Sequence, residues 1–184
     1  MPTALANGHA RPKAPEITLA DMRAHFTAAV VCDALDAEGF PNQSPRVPLR
    51  PLTTPGVLVG RCKTTLWADM AHPDPRPYEL ELKAVDSCRT DDVLICAAGG
   101  SVRSGIWGEL LSTAARARGC VGVVADGAVR DVVRMRRMGF PTFARGTVVY
   151  DSKDRQRVID LDVPVQIDGV TFAPGDLPPG PARW

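Results

Sequence analysis

The chain has 184 residues, 45% hydrophobic and 23% charged, with a net charge of +1, which suits one globular domain with a sizeable core. No apolar run approaches the roughly 20 residues that span a bilayer, and the near-neutral balance demands neither nucleic acid nor an anionic membrane as partner. Aromatics make up 5% and do not interleave with basic residues, so a base-stacking surface is not expected.

Residues 1–15 carry Arg11, Pro12, Lys13 and Pro15 without an apolar stretch and read as a flexible arm rather than a secretory signal. Thr18-Leu-Ala-Asp21 has the form of a capping box and predicts a helix to about Phe26. Thr27 caps a second helix, whose stripe of Val31, Leu35 and alanines stops at Gly39. From 41 to 55 prolines recur five times, which excludes regular helix and reads as an extended loop. The β-branched run GVLVGRCKTTLW, 56–67, predicts a strand, and 69–77 is another proline-broken loop.

A helix over 78–88 follows, with Leu80, Leu82 and Val85 as its apolar positions. VLICAA, 93–98, is continuously apolar, as suits a strand covered on both faces, and Gly99-Gly100 breaks it. Next come a helix over 106–118, a Gly119 stop and an apolar strand over 121–125. Asp126-Gly127 is read as a turn into a helix over 128–138, closed by Gly139 and Pro141. Strands are expected over 147–150 and 157–161, then a hairpin over 165–172 turning at Asp168-Gly169. The fold class is α/β: a domain over 16–177 with a parallel core sheet and flanking antiparallel strands, followed by a proline-rich tail at 178–184.

Cysteines 32, 62, 88, 96 and 120 form no C-x-x-C pair, and His9, His25 and His72 are far apart. Buried thiols in a reducing cytoplasm are expected, and a zinc site is not. His72 reads as a loop residue among prolines.

The segment 93–131 reads strand, glycine turn, helix, strand, turn. Parallel strands joined by a helix take a right-handed crossover, which brings the helix N-terminus to the carboxyl end of the following strand. A 13-residue helix is roughly 20 Å long, about what a five-residue strand and turn retrace. Glu109, in the helix's first turn, therefore meets Arg130 and Asp131 at the sheet end where α/β folds bind ligands. Asp131 offers hard oxygen suited to Mg²⁺ or Mn²⁺. Arg130 presents a planar fork for a substrate carboxylate or a developing enolate oxygen, and the amides of Leu110 and Leu111 after Gly108 suit a carboxylate. Glu109 is placed to orient a water made more acidic by the cation. Each residue also has a structural reading: an acid in a first turn favours the helix dipole, and Arg130, Arg134 and Arg137 share a helical face.

These residues resemble the family that joins the regulator of ribonuclease activity A to the 4-hydroxy-4-methyl-2-oxoglutarate aldolases. The match runs through WGELLSTAARARGCVGVVADGAVRD, 107–131, with its acid-x20-Arg-Asp spacing, and MGFPTFARGT, 138–147. VCDALDAEG at 31–39, LVGRCKT at 58–64 and AVDSCRTDDVLICA at 84–97 extend it.

The resemblance implies a swivelling β/β/α fold, assembled as a homotrimer or hexamer with sites at subunit boundaries. It implies a class II pyruvate aldolase that also decarboxylates oxaloacetate with Mg²⁺ or Mn²⁺ through a pyruvate enolate. By match, Asp131 anchors the metal, Arg130 binds the pyruvyl carboxylate and oxygen, Glu109 helps activate water, and the Leu110 and Leu111 amides cradle the carboxylate. Other family members bind and inhibit a ribonuclease, which is the alternative function. A methyltransferase label carried by some relatives finds no glycine-rich nucleotide loop here. Two departures stand out. Thr90-Asp91-Asp92 replaces a common Pro-Gly-Asp turn, and the sequence stops at PPGPARW where family chains continue into a further strand. That closing strand, and the C-terminal acid that longer aldolases lend to a neighbour's site, are therefore expected to be missing.

Overall fold

The computed structural model describes residues 17–54 and 57–177; the arm expected at 1–15 and the tail expected at 178–184 lie outside the described residues. Helices α1 (Leu19–His25) and α2 (Ala28–Ala37) begin where their caps predict. Thr18 and Asp21 bond each other reciprocally, and the Thr27 hydroxyl accepts from the Val30 amide. Neither helix buries a residue.

One sheet organises the rest. It contains β1 (Arg50–Pro51), β2 (Arg61–Asp69), β3 (Asp92–Ala97), β4 (Gly105–Trp107), β5 (Gly122–Val129), β6 (Thr142–Thr147) and β7 (Gln156–Leu161). The order is β1-β6-β5-β3-β2-β7, with β4 paired to β5 beyond the end of β3. The inner pairs β2–β3, β3–β5, β4–β5 and β5–β6 are parallel, and the outer pairs β1–β6 and β2–β7 are antiparallel. Helices α3 (Glu79–Asp86), α4 (Glu109–Ala117) and α5 (Val132–Met138) connect the strands. The hairpin β8 (Val165–Ile167) and β9 (Val170–Phe172) turns at Asp168-Gly169, both at positive φ.

Side chains on a strand point alternately to its two faces. On β3, Leu94 and Cys96 join a core with Val123, Met135 and Phe140, while Val93, Ile95 and Ala97 join another with Phe143, Ile167 and Phe172. Cover on both faces is why this strand reads as an unbroken apolar run. Cys96 and Cys120 are core thiols, and the five cysteines are free. No helix among the described residues is long and apolar enough to cross a membrane.

Four expectations need correction, and tertiary pairing accounts for three of them. The helix expected from 106 starts at Glu109, because Ile106 and Trp107 extend as β4 and bury against β5. Trp107 stacks on Phe140 with ring centroids 6.4 Å apart and donates from Nε1 to Ser112 Oγ at 2.8 Å, anchoring β4 to both neighbouring elements.

Asp126-Gly127 is not a turn into a helix. The strand runs on to Val129, fully buried, with a register irregularity between Ala125 and Ala128. Arg145 and the Gly100 amide satisfy the Asp126 carboxylate inside the sheet. Gly127 is required because a Cβ there would stand 2.9 Å from the Ser101 carbonyl oxygen. The strand expected over 147–150 lies earlier, as β6 at Thr142–Thr147, parallel to β5. On α3 the buried positions are Glu81, Ala84 and Val85, whereas Leu82 is exposed.

Candidate active site

The bulge in β5 lets one strand serve two partners. Its first half pairs with β3 and its second with β4, so β4, the start of α4 and the end of β5 form a shelf beyond the carboxyl end of β3. Gly108 caps α4 without a side-chain hydrogen bond, leaving first-turn amides free of intrahelical acceptors.

Asp131 occupies the left-handed region at φ 58 and ψ 26 and makes no cap bond to its own helix α5. Its carboxylate turns instead to α4, where Oδ2 accepts from the Glu109 amide at 3.4 Å. Arg130 is fixed through its backbone, whose amide donates to the Trp107 carbonyl at 2.9 Å. Two glycines make room for this pair. A Cβ on Gly105 would lie 3.1 Å from Arg130 Cβ, and one on Gly108 would lie 2.9 Å from Asp131 Oδ2.

Gly108, Leu110, Leu111, Arg130 and Asp131 line one pocket of ≈ 260 Å³. That is below the roughly 300–1,000 Å³ of sites for drug-sized molecules, a scale that suits a ligand of few heavy atoms. Glu109 is brought next to Asp131 through its amide but is not among the lining residues; its Oε2 lies 3.8 Å from Arg134 Nη1.

Three titratable lining residues lie outside the sequence-derived set: Tyr78, Glu81 and Asp151. Asp151 is clamped. Arg130 Nη2 lies 2.7 Å from Oδ2, while the Tyr78 hydroxyl and the Lys153 amide donate to Oδ1 at 3.0 and 2.8 Å. Partial burial pushes this carboxyl up, but the Lys153 amide, Tyr78 hydroxyl and Arg130 guanidinium outweigh it and hold it below its ordinary range. Burial, then the bond to Asp151, pushes the Tyr78 phenol up to about 12.

Glu81 is the opposite case. It is 8% exposed, and burial followed by the Asp151 charge raises it to about 8, against a smaller pull from Arg130. A signal for Glu81 exists in the sequence: Ala84, Val85 and Cys88 stand three, four and seven residues on, one helical stripe. Asp151 has no comparable signal, because a long loop brings it in.

Among the described residues no three His, Cys, Asp or Glu side chains cluster as a metal cage, which does not fit a closed zinc site. Mg²⁺ and Mn²⁺ keep several waters and need only one or two carboxylates. Asp131 fits that requirement: its side chain is 42% exposed and packs close against Gly108, where a Cβ would crowd it.

A mixed sheet with a parallel centre, carrying an Arg-Asp pair opposite a helix start, defines a small α/β protein with a pocket at the sheet's carboxyl end. The family model "RraA-like: Aldolase/RraA" matches residues 28–178, and the chain belongs to that RraA-like family.

The chain is 32% identical over 152 residues to a Halalkalibacterium halodurans protein named "Putative 4-hydroxy-4-methyl-2-oxoglutarate aldolase", covering 83% of this chain and 67% of that one. It is 27% identical over 150 residues to Protein DlpA of Legionella pneumophila, covering 82% of this chain but 24% of the relative. Among solved structures, Streptomyces coelicolor RraAS2, described as an unusual member of the RNase ES inhibitor RraA protein family, superposes with a TM-score of 0.76. The identity there is 27%, over 91% of this chain and 82% of that one.

Proposed function

We propose that the chain is a divalent-metal-dependent carbon–carbon lyase for short 2-oxo acids. It would cleave 4-hydroxy-4-methyl-2-oxoglutarate-type aldols, decarboxylate oxaloacetate, or do both, through a pyruvate enolate. The observation that carries this reading is that Arg130, Asp131 and the residues at the start of α4 (Gly108, Leu110 and Leu111) line one small pocket. The aldolase name of the Halalkalibacterium relative supports it.

The residues divide the work by chemistry. Leu110 and Leu111 amides at the helix start receive the substrate carboxylate. Arg130, held by Asp151, presents its remaining donors to the 2-oxo oxygen, where negative charge develops as the enolate forms. Asp131 would hold Mg²⁺ or Mn²⁺, which when bound would supply Lewis-acid polarisation of a carbonyl. Glu109, set beside Asp131, orients water at the pocket rim. The exposed apolar side chain of Leu110 lines the pocket, and those of Val133 and Val149 line a neighbouring hollow that shares Arg130 and Asp131, which supports assembly as a homotrimer or hexamer around the pocket.

The test is pyruvate release from oxaloacetate with Mg²⁺, Mn²⁺ or EDTA. Wild type should turn over with either cation and stop with EDTA. Arg130→Ala and Asp131→Ala should each lose at least about 100-fold, the scale of removing a group that stabilises developing charge. Undiminished metal-dependent turnover in both variants would remove this site from the chemistry.

A further inference from the structure

Glu81 and Asp151 line the same pocket and repel each other, yet their surroundings differ. Asp151 is surrounded by donors; Glu81 has no hydrogen-bond donor or ion pair among the described residues. The charged and titratable groups facing it are Asp151, Arg130, Tyr78 and, on β3, Cys96. Arg130 spends one arm of its fork on Asp151 at 2.7 Å, and Tyr78 spends its hydroxyl there at 3.0 Å. A buried carboxylate without donors keeps its proton instead of its charge. One pocket thus holds an ionised acid and a neutral one, the pairing that separates electrostatic from proton-donor roles.

We infer that Glu81 is the acid that delivers a proton to C3 of the pyruvate enolate, an assignment that rests on the lyase reading above. Cleavage breaks the substrate C3–C4 bond and leaves its electron pair in the C2–C3 enolate. Carbon dioxide departs directly, whereas a second 2-oxo acid departs once pocket water has taken the C4 hydroxyl proton, which later returns through water to Glu81. The Glu81 carboxyl O–H bond then breaks, a C3–H bond forms, and pyruvate gains its methyl group. Water from the pocket mouth reprotonates the carboxylate. Run backwards, the Glu81 carboxylate removes a C3 proton from bound pyruvate.

The reverse step gives the assay. In D₂O with Mg²⁺, wild type should exchange the pyruvate methyl protons, followed by proton NMR. Glu81→Gln should slow exchange by about 100-fold or more, the usual contribution of a positioned acid or base. Single-turnover release of carbon dioxide from oxaloacetate, which breaks C3–C4 without a proton, should fall less than about tenfold, while formation of pyruvate from the bound enolate slows with the exchange, and Glu81→Asp should recover part of the exchange. Independently of activity, wild type at neutral pH should show the infrared carbonyl band of a neutral carboxylic acid, and Glu81→Gln should lack it. Exchange at the wild-type rate in Glu81→Gln, equal losses of exchange and cleavage, or absence of the band overturns the assignment while metal-dependent cleavage by wild type upholds the lyase reading. Wild type that neither cleaves nor exchanges overturns both.

Discussion

Replacing Glu81 by glutamine should remove a pH dependence from the stability of the fold. In the unfolded chain this carboxyl ionises near its ordinary 4.5, and in the folded chain at about 8. Below pH 4.5 both states carry the proton, and the fold bears no penalty. Between those values the folded state holds one more proton than the unfolded state, so stability falls by about 1.4 kcal/mol per pH unit. Above about pH 8 both states are ionised and the deficit is constant.

The full window is worth on the order of 5 kcal/mol, and access of water from the pocket brings the expected effect to about 2–4 kcal/mol. Glutamine has nearly the same shape and no charge to bury. Urea unfolding at pH 5, 7 and 9 should therefore show the variant gaining on wild type as pH rises, through a shift in midpoint at constant m. A stability difference that stays the same at all three pH values would refute an uncompensated buried carboxyl at this position.

Gly108→Ala should leave the fold within about 1 kcal/mol of wild type, since its backbone at φ −163 accepts any residue. The new methyl would stand 2.9 Å from Asp131 Oδ2 and 3.1 Å from Arg130 Cγ, and displacement of both groups should cut oxaloacetate turnover by about 10- to 100-fold. Circular dichroism alongside kinetics separates the two effects, and full activity would show that the glycine is not keeping that space for the site. Arg145→Met should be strongly destabilising, by about 3–5 kcal/mol, because it strips the guanidinium from the buried Asp126. With Arg145 gone, Asp126 holds its proton to higher pH, so the loss should be larger at pH 8 than at pH 5 in denaturant titrations.

Several features follow from local chemistry that a linear chain already contains. The Thr18–Asp21 box and the Thr27 cap satisfy amides within their own first turns, so their residue types fix where α1 and α2 begin. Asp168-Gly169 accepts positive φ wherever it occurs, and the hairpin closes around it. The apolar run of β3 signals a strand covered on both faces, and the crossover geometry alone places Glu109 beside Asp131.

Other features depend on partners distant in sequence. Ile106 and Trp107 suit a helix or a strand, and the pairing of Gly105 with Ala128 and of Trp107 with Val129 makes them β4. Asp126-Gly127 has turn chemistry, but Arg145 from β6 neutralises the acid and lets β5 continue. The burial of Glu81 and the arrival of Asp151 complete the pocket, and both depend on how α3 and the loop before β7 pack. Caps and turns act within a few residues and are written in the sequence; a buried charge acquires its protonation state only from neighbours that folding supplies.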